Sequence, residues 1–301
     1  MAILAQHVTT GIDVSDHKLR LVRLQHGYRN VRLHAFAELD LPEGIIQNGI
    51  ILQPTAFVQA LKELPHRVTG SHWSTRSVHV GVPEQISFMT TVAVTAAGRE
   101  AAETAAKQSL PLQENEMYYD LAIQRTTKTA TIAAARRDLL DQLLAQFDAA
   151  NYEVVGLHVE SEALANALLP HPLTKAPRSL VVDLGTARTS IVFVANGTIQ
   201  FTVSYPSVFG TAGLLDQQLA GAMQQTVTYV QEHFGALGAP EQIVLCGSGA
   251  LTPQLEQWLN QIVHIPVQLG NALLHVKPNH LSKKLSRATV FATALGLALA
   301  D

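Results

Sequence analysis

The chain has 301 residues, 47 % of them apolar, enough to bury a sizeable core and to form about two domains of ordinary size. Its 21 basic and 24 acidic residues leave a formal charge of −3, so no global positive field recruits nucleic acid or anionic lipid, and nucleic acid is not an expected partner. A single cysteine, Cys246, excludes an internal disulfide and a cysteine metal cage and fits a reducing compartment. No run approaches the roughly 18 apolar residues of a membrane span, and residues 1–10 lack a charged segment followed by an apolar one, so the protein is expected to be soluble and not exported.

Three short strands rich in Val, Ile and Leu open the chain, over 7–14, 20–26 and 30–36. Residues 54–64 place Pro54 at a helix start and Phe57, Leu61 and Leu64 at helical spacing. Strands are predicted at 77–82 and 85–94, helices at 98–109 and 136–150, and a strand pair at 119–124 and 129–134 between them, so 77–150 reads as a small α+β unit. The loop 169–177 carries Pro170, Pro172 and Pro177 and reads as a linker. A second meander follows at 179–183, 189–195 and 198–203, its last turn marked by Asn196-Gly197. Then come a long helix over 213–234, a strand over 242–245, a glycine-rich turn, and helices over 253–261 and 287–300.

The two meanders repeat one another: Gly-Ile-Asp-Val-Ser-Asp-His-Lys-Leu-Arg-Leu-Val (11–22) matches Val-Val-Asp-Leu-Gly-Thr-Ala-Arg-Thr-Ser-Ile-Val (181–192). Each is a strand ending in an aspartate, a polar loop, and a returning strand. Two such hairpins facing across a cleft suit a nucleotide clamp, in which turn amides hold phosphates and each aspartate orients a hydrated divalent cation. In the second loop Asp183, Gly185, Thr186 and Thr189 supply the carboxylate, the small turn residue and the hydroxyls; a plain β-hairpin is the alternative. The first loop keeps Asp13, but Ser15 stands where glycine is expected and Asp16 brings negative charge to a place a phosphate would approach. The third element is a strand running into Gly247-Ser248-Gly249, where glycines let the backbone approach a flat or phosphorylated ligand.

Taken in order, Gly11-Ile-Asp13, Gly44 and Gly49, Val80-Gly81-Val82-Pro83, Val159-Glu160, Asp183-Leu-Gly185, Cys246-Gly-Ser-Gly249 and Ala294-Leu-Gly296 resemble the type IV pilus assembly protein PilM family over essentially the whole chain. The resemblance implies an α/β, actin-like (ribonuclease H-like) fold of duplicated lobes with a small α+β inserted subdomain, similar to the cell-division protein FtsA. The lobes would be 1–76 resuming at 151–177, and 178–301, with the insert at 77–150. It also implies a cytoplasmic protein, peripheral to the inner membrane through a partner, that binds the N-terminal tail of PilN beside the insert, near 77–95 and 119–135. ATP with magnesium is the implied ligand, with Asp13 and Asp183 facing the metal through water, Arg20 at the family's lysine, and Glu160 the candidate catalytic group near the interdomain helix.

Three departures imply weak or lost nucleotide binding: the Ser15-Asp16-His17 loop, Gly-Ser-Gly in place of a glycine run, and Gly210-Thr-Ala-Gly213 leading directly into the long helix, which reduces or removes the fourth subdomain over the adenine. The expectation is therefore a scaffold of a type IV or competence (DNA-uptake) pilus, with at most slow ATPase activity; an active actin-like ATPase or a sugar-kinase-type phosphotransferase is the alternative. A filament-forming protein that partners itself is a third reading. The 13 histidines form no sequence-local ligand pair, no Gly-x-Ser-x-Gly elbow is present, Cys246 reads as a core residue, and the basic run Lys277, Lys283, Lys284 and Arg287 reads as a solvated loop.

Overall fold

The computed structural model describes residues 7–28, 30–71, 76–94, 99–124, 128–206 and 217–300. In chain order the elements are β1 His7–Val14, β2 Lys18–His26, β3 Val31–Asp40, β4 Ile46–Gln47, β5 Ile50–Ile51, α1 Pro54–Glu63, β6 Thr69–Gly70, β7 Ser77–Val82, β8 Ser87–Ala93, α2 Arg99–Lys107, β9 Met117–Gln124, β10 Thr129–Arg136, α3 Arg137–Ala149, β11 Glu153–Val159 and α4 Glu160–Leu168. The second half continues with β12 Ser179–Leu184, β13 Arg188–Ala195, β14 Thr198–Pro206, α5 Gln217–Phe234, β15 Gln242–Cys246, α6 Leu255–Val263, β16 Val267–Leu269, β17 Val276–Lys277, α7 His280–Lys284 and α8 Ala292–Leu299. The predicted helix starts at Gly98 and Gly213, and the Gly210-Thr-Ala-Gly213 stretch, lie outside the described residues.

The chain divides into two compact units, 1–87 with 135–168 and 271–301, and 88–134 with 169–270. In the first unit the sheet order is β11-β7-β1-β2-β3-β17, with β1, β2 and β3 an antiparallel meander and β7 and β11 added in parallel. Alternate residues of β7 explain one layer: Val78, Val80 and Val82 turn into a core with Phe57 and Leu61 of α1 and Leu140, Leu143 and Phe147 of α3. Each large apolar side chain so removed from water contributes roughly 1.5–3 kcal/mol. α4 and α8 pack closely because Gly296 has no side chain; a Cβ there would lie 1.8 Å from the Ala163 carbonyl oxygen.

The second unit repeats the arrangement. Its sheet runs β16-β15-β12-β13-β14-β8-β10-β9, with β12, β13 and β14 antiparallel and β15 and β16 parallel to β12. α5 and α6 cover a core of Leu180, Val182, Ile191, Phe193, Met223, Val230, Leu245 and Leu259. β8, β9, β10 and α2 form a module around Ala102, Ala106, Ala130 and Ile132, which joins the sheet where Thr90 pairs with Phe201.

Sequence grouping and contact grouping differ at two places. Residues 271–301 follow the second meander in the chain but belong with the first unit, because β17 pairs with β3 and α8 lies on β1. The α+β module is narrower than 77–150: β7 and α3 are built into the first unit, since their apolar faces have no partner within the module.

Candidate functional site

The duplication places Asp13 and Asp183 at the same position of each hairpin, next to last in β12 and one residue before the end of β1. Asp13 stands opposite Arg20, and Asp183 stands opposite Ser190. The facing residue is the first difference between the two sites.

In the first hairpin Asp13 is 5 % exposed, and the Arg20 guanidinium lies 3.5 Å from its Oδ2. Burial pushes the Asp13 carboxyl above its ordinary range, against the pull of Arg20. Arg20 donates a second hydrogen bond to Glu38 at 2.8 Å and lies 5.9 Å over the Phe291 ring. Lys18 is paired with Glu38 at 3.2 Å and with Asp40. Burial would raise Glu38 too, but the bonds and charges of Arg20 and Lys18 hold its carboxyl below the usual carboxylate range.

The loop itself is closed by its own chain. The Ser15 amide and hydroxyl both donate to the Lys18 carbonyl at 3.0 Å. Asp16 accepts the amide protons of Asn48 at 2.8 Å and Gly49 at 3.0 Å, fixing the β4–β5 turn. The sequence reading set Asp16 against an incoming phosphate; the structure engages it with backbone 32 and 33 residues away. The sequence does not point to the partners Lys18, Glu38 and Asn48, although Gly49 is among the motif glycines.

The second hairpin joins the glycine turn. Asp183 pairs in register with Cys246, and Gly247 has φ +82°; a Cβ on it would lie 2.1 Å from Asp183 Oδ1 and 2.7 Å from the Leu184 carbonyl oxygen. Only glycine tolerates both the dihedral and the approach. Burial, together with the Asp183 carboxylate, pushes the Cys246 thiol well above its ordinary value, so it stays protonated and unreactive at neutral pH. A Cβ at Gly185 would lie 2.9 Å from the Arg188 carbonyl oxygen, Thr186 is exposed, and Arg188 is turned onto Ser204 at 2.8 Å. Ser248 and Gly249 open a 3₁₀ turn over Gly249–Leu251.

Thr189 is 2 % exposed, and its hydroxyl makes no hydrogen bond. It lines a cavity of about 420 Å³ with Tyr205, Pro206, Gln218, Leu219 and Gln225. Glu160 begins α4: it accepts the Glu84 amide at 3.4 Å, while Glu84 accepts the Ser161 amide at 3.0 Å, a reciprocal cap of the helix start.

A phosphate–magnesium group therefore fits the two hairpins unequally. The second has a small turn, a carboxylate that meets the Cys246 thiol, and an unbonded buried hydroxyl. The first does not fit: its carboxylate faces a guanidinium, its serine is bonded within the turn, and its second aspartate is committed elsewhere.

The family model described as "Type IV pilus assembly protein PilM" matches residues 11–217, more than half of the chain. The chain belongs to the PilM family. A solved PilM–PilN type IV pilus biogenesis complex matches with TM-score 0.79 at 20 % identity, covering 98 % of both chains. The ethanolamine utilization protein EutJ from Carboxydothermus hydrogenoformans matches with TM-score 0.55 at 15 % identity, covering 99 % of this chain and 91 % of that one. The cytoplasmic domain of EpsL, an inner-membrane component of the type II secretion system of Vibrio cholerae, matches with TM-score 0.52 at 13 % identity, covering 96 % and 95 %. No curated protein matches in sequence. These likenesses are of fold, and the fold is actin-like. Within the PilM family, then, this chain carries a first hairpin whose Ser15-Asp16-His17 loop is bonded to its own backbone.

Proposed function

We propose that this PilM-family chain is a cytoplasmic scaffold of a type IV or competence (DNA-uptake) pilus, which accepts the N-terminal tail of an inner-membrane PilN-like protein and binds nucleotide weakly or not at all. The observation that carries this reading is the self-closed first hairpin: Asp13 on Arg20, Ser15 on the Lys18 carbonyl and Asp16 on the Asn48 and Gly49 amides. A nucleotide would have to displace a buried ion pair and three bonds to backbone groups before it met a ligand, a cost not recovered by one remaining hairpin. The scaffold reading is also supported by the solved relative, a PilM bound to PilN.

Among the described residues no helix is long and apolar enough to cross a membrane, and in this reading attachment runs through the partner. The tail would dock on segments 77–95 and 119–135, where β9 ends its sheet and an extended peptide could add backbone hydrogen bonds. The rival reading, a working ATPase, draws on the unbonded Thr189 hydroxyl and the intact second loop.

One experiment separates them. A fluorescent ATP analogue with magnesium is titrated into the full chain, and a synthetic PilN-like cytoplasmic tail is titrated with and without ATP. Tail binding that is unchanged by ATP, with no saturable nucleotide signal, supports the scaffold. Saturable ATP binding with turnover, or a tail that binds only with ATP, refutes it.

A further inference from the structure

β7 and β11 run parallel in the first unit, with Gly156 opposite His79 and His158 opposite Gly81. The register sets the two imidazoles diagonally on one face, with glycines at the positions between them. His79 Nδ1 and His158 Nε2 are 3.1 Å apart, and the ring centroids are 5.3 Å apart. The other nitrogen of His158, Nδ1, lies 3.5 Å from Glu162 Oε2 in the first turn of α4. A Cβ at position 156 would lie 2.5 Å from His79 Nδ1 and 2.9 Å from His158 Nε2, so both nitrogens crowd over one point that only glycine leaves clear.

We propose that His79 and His158 form a divalent transition-metal site, selective for ions such as Zn²⁺ that take imidazole nitrogen, with Glu162 as the residue that positions His158. Two nitrogens held at about 2.0–2.1 Å from one ion are separated by about 2.9 Å at a right angle and about 3.3 Å at the tetrahedral angle. The spacing between the two rings falls inside that range. A carboxylate 3.5 Å from Nδ1 of His158 favours the tautomer that carries its proton there, with the lone pair on Nε2, toward His79, and makes that nitrogen a stronger donor. Among the described residues no three His, Cys, Asp or Glu side chains converge, so water completes the coordination. The His158 side chain is 20 % exposed, which leaves the ion an entry path. β11 is the outermost strand of its sheet, and an ion shared by both histidines fastens it to β7. The site is independent of the pilus reading and of the hairpins.

The test uses the full chain stripped with a chelator and titrated with Zn²⁺ alone, followed by calorimetry and thermal melting, with Co²⁺ absorbance reporting the ligand set. One ion per chain and a rise in Tm are expected. His79→Gln and His158→Gln should each weaken binding at least tenfold. Glu162→Gln should weaken it about tenfold while the melting of the metal-free chain stays unchanged. Absence of saturable binding overturns the proposal, as does binding that survives both histidine substitutions. A plain hydrogen bond between the rings, seen as a lower Tm in the histidine variants with no response to Zn²⁺, overturns it as well.

Discussion

The two hairpins share strand order, a loop of three residues and a matching aspartate, yet the two aspartates meet different partners. The first spends its polar groups internally: Asp13 and Glu38 on Arg20, Ser15 on the Lys18 carbonyl, and Asp16 on the Asn48–Gly49 turn. The second has Ser190 where the first has Arg20, keeps Asp183 beside Gly247, and leaves the Thr189 hydroxyl buried without a bond. A duplicated fold thus preserves the scaffold of a site while the facing residue decides whether its carboxylate meets a guanidinium. Backbone pairing fixes where the aspartates are; side-chain charge fixes what they can still do.

The strongest way to break this comparison is to remove the cation from the closed hairpin. Arg20→Ala leaves Asp13 buried beside Glu38 with no facing cation, and the chain should lose about 3–5 kcal/mol in urea unfolding. Ser190→Ala, the matching change in the second hairpin, should cost less than about 1 kcal/mol. Equal effects would mean that the two sites do not differ in the way described.

Gly247→Ala comes next. Its positive φ and the Asp183 contact together predict a loss on the order of 2–3 kcal/mol, measured by thermal melting. Asp16→Ala removes the acceptor from two amides and should cost about 1–2 kcal/mol, without any change in nucleotide affinity if the first hairpin takes no phosphate.

The pH dependence sharpens the contrast. The folded Asp13 carboxyl holds its proton to a higher pH than the unfolded chain does, because burial outweighs Arg20. The folded state therefore binds more protons, and this group removes stability as pH rises from the ordinary carboxylate value of 3.8 through its raised folded value. Glu38 runs the other way: its depressed carboxyl adds stability above the ordinary 4.5 that is lost as pH falls. Asp13→Asn should abolish the first slope and leave the second, as read from denaturant midpoints across the acid range. The smallest effect belongs to Thr189→Val, which should be neutral or stabilise by up to about 1 kcal/mol, since it deletes a buried hydroxyl with no partner. A clear loss of stability would show that the hydroxyl is bonded after all.

Much of the fold was legible in the chain itself. The 11–22 and 181–192 repeat announced the duplicated meander, because strand periodicity and a terminal aspartate survive as local pattern. The strands 7–14 and 77–82 fall where the residues placed them, and the family motifs led to the actin-like fold. The Asn196-Gly197 turn, with both residues at positive φ, follows equally from two residue types. What the sequence did not carry was partnership at a distance. Asp16 looked like a charge facing a phosphate because the amides that donate to it lie on a turn more than thirty residues on. The histidines looked scattered because His79 and His158 meet only through the parallel pairing of β7 with β11. Residues 271–301 looked like the tail of the second lobe because nothing local records that β17 completes the first sheet. Local pattern specifies elements and the repeat, since it depends on neighbours in the chain. Which carboxylate meets a guanidinium, and which imidazoles converge, is decided by strand order and register, which bring side chains together only once the sheets have formed.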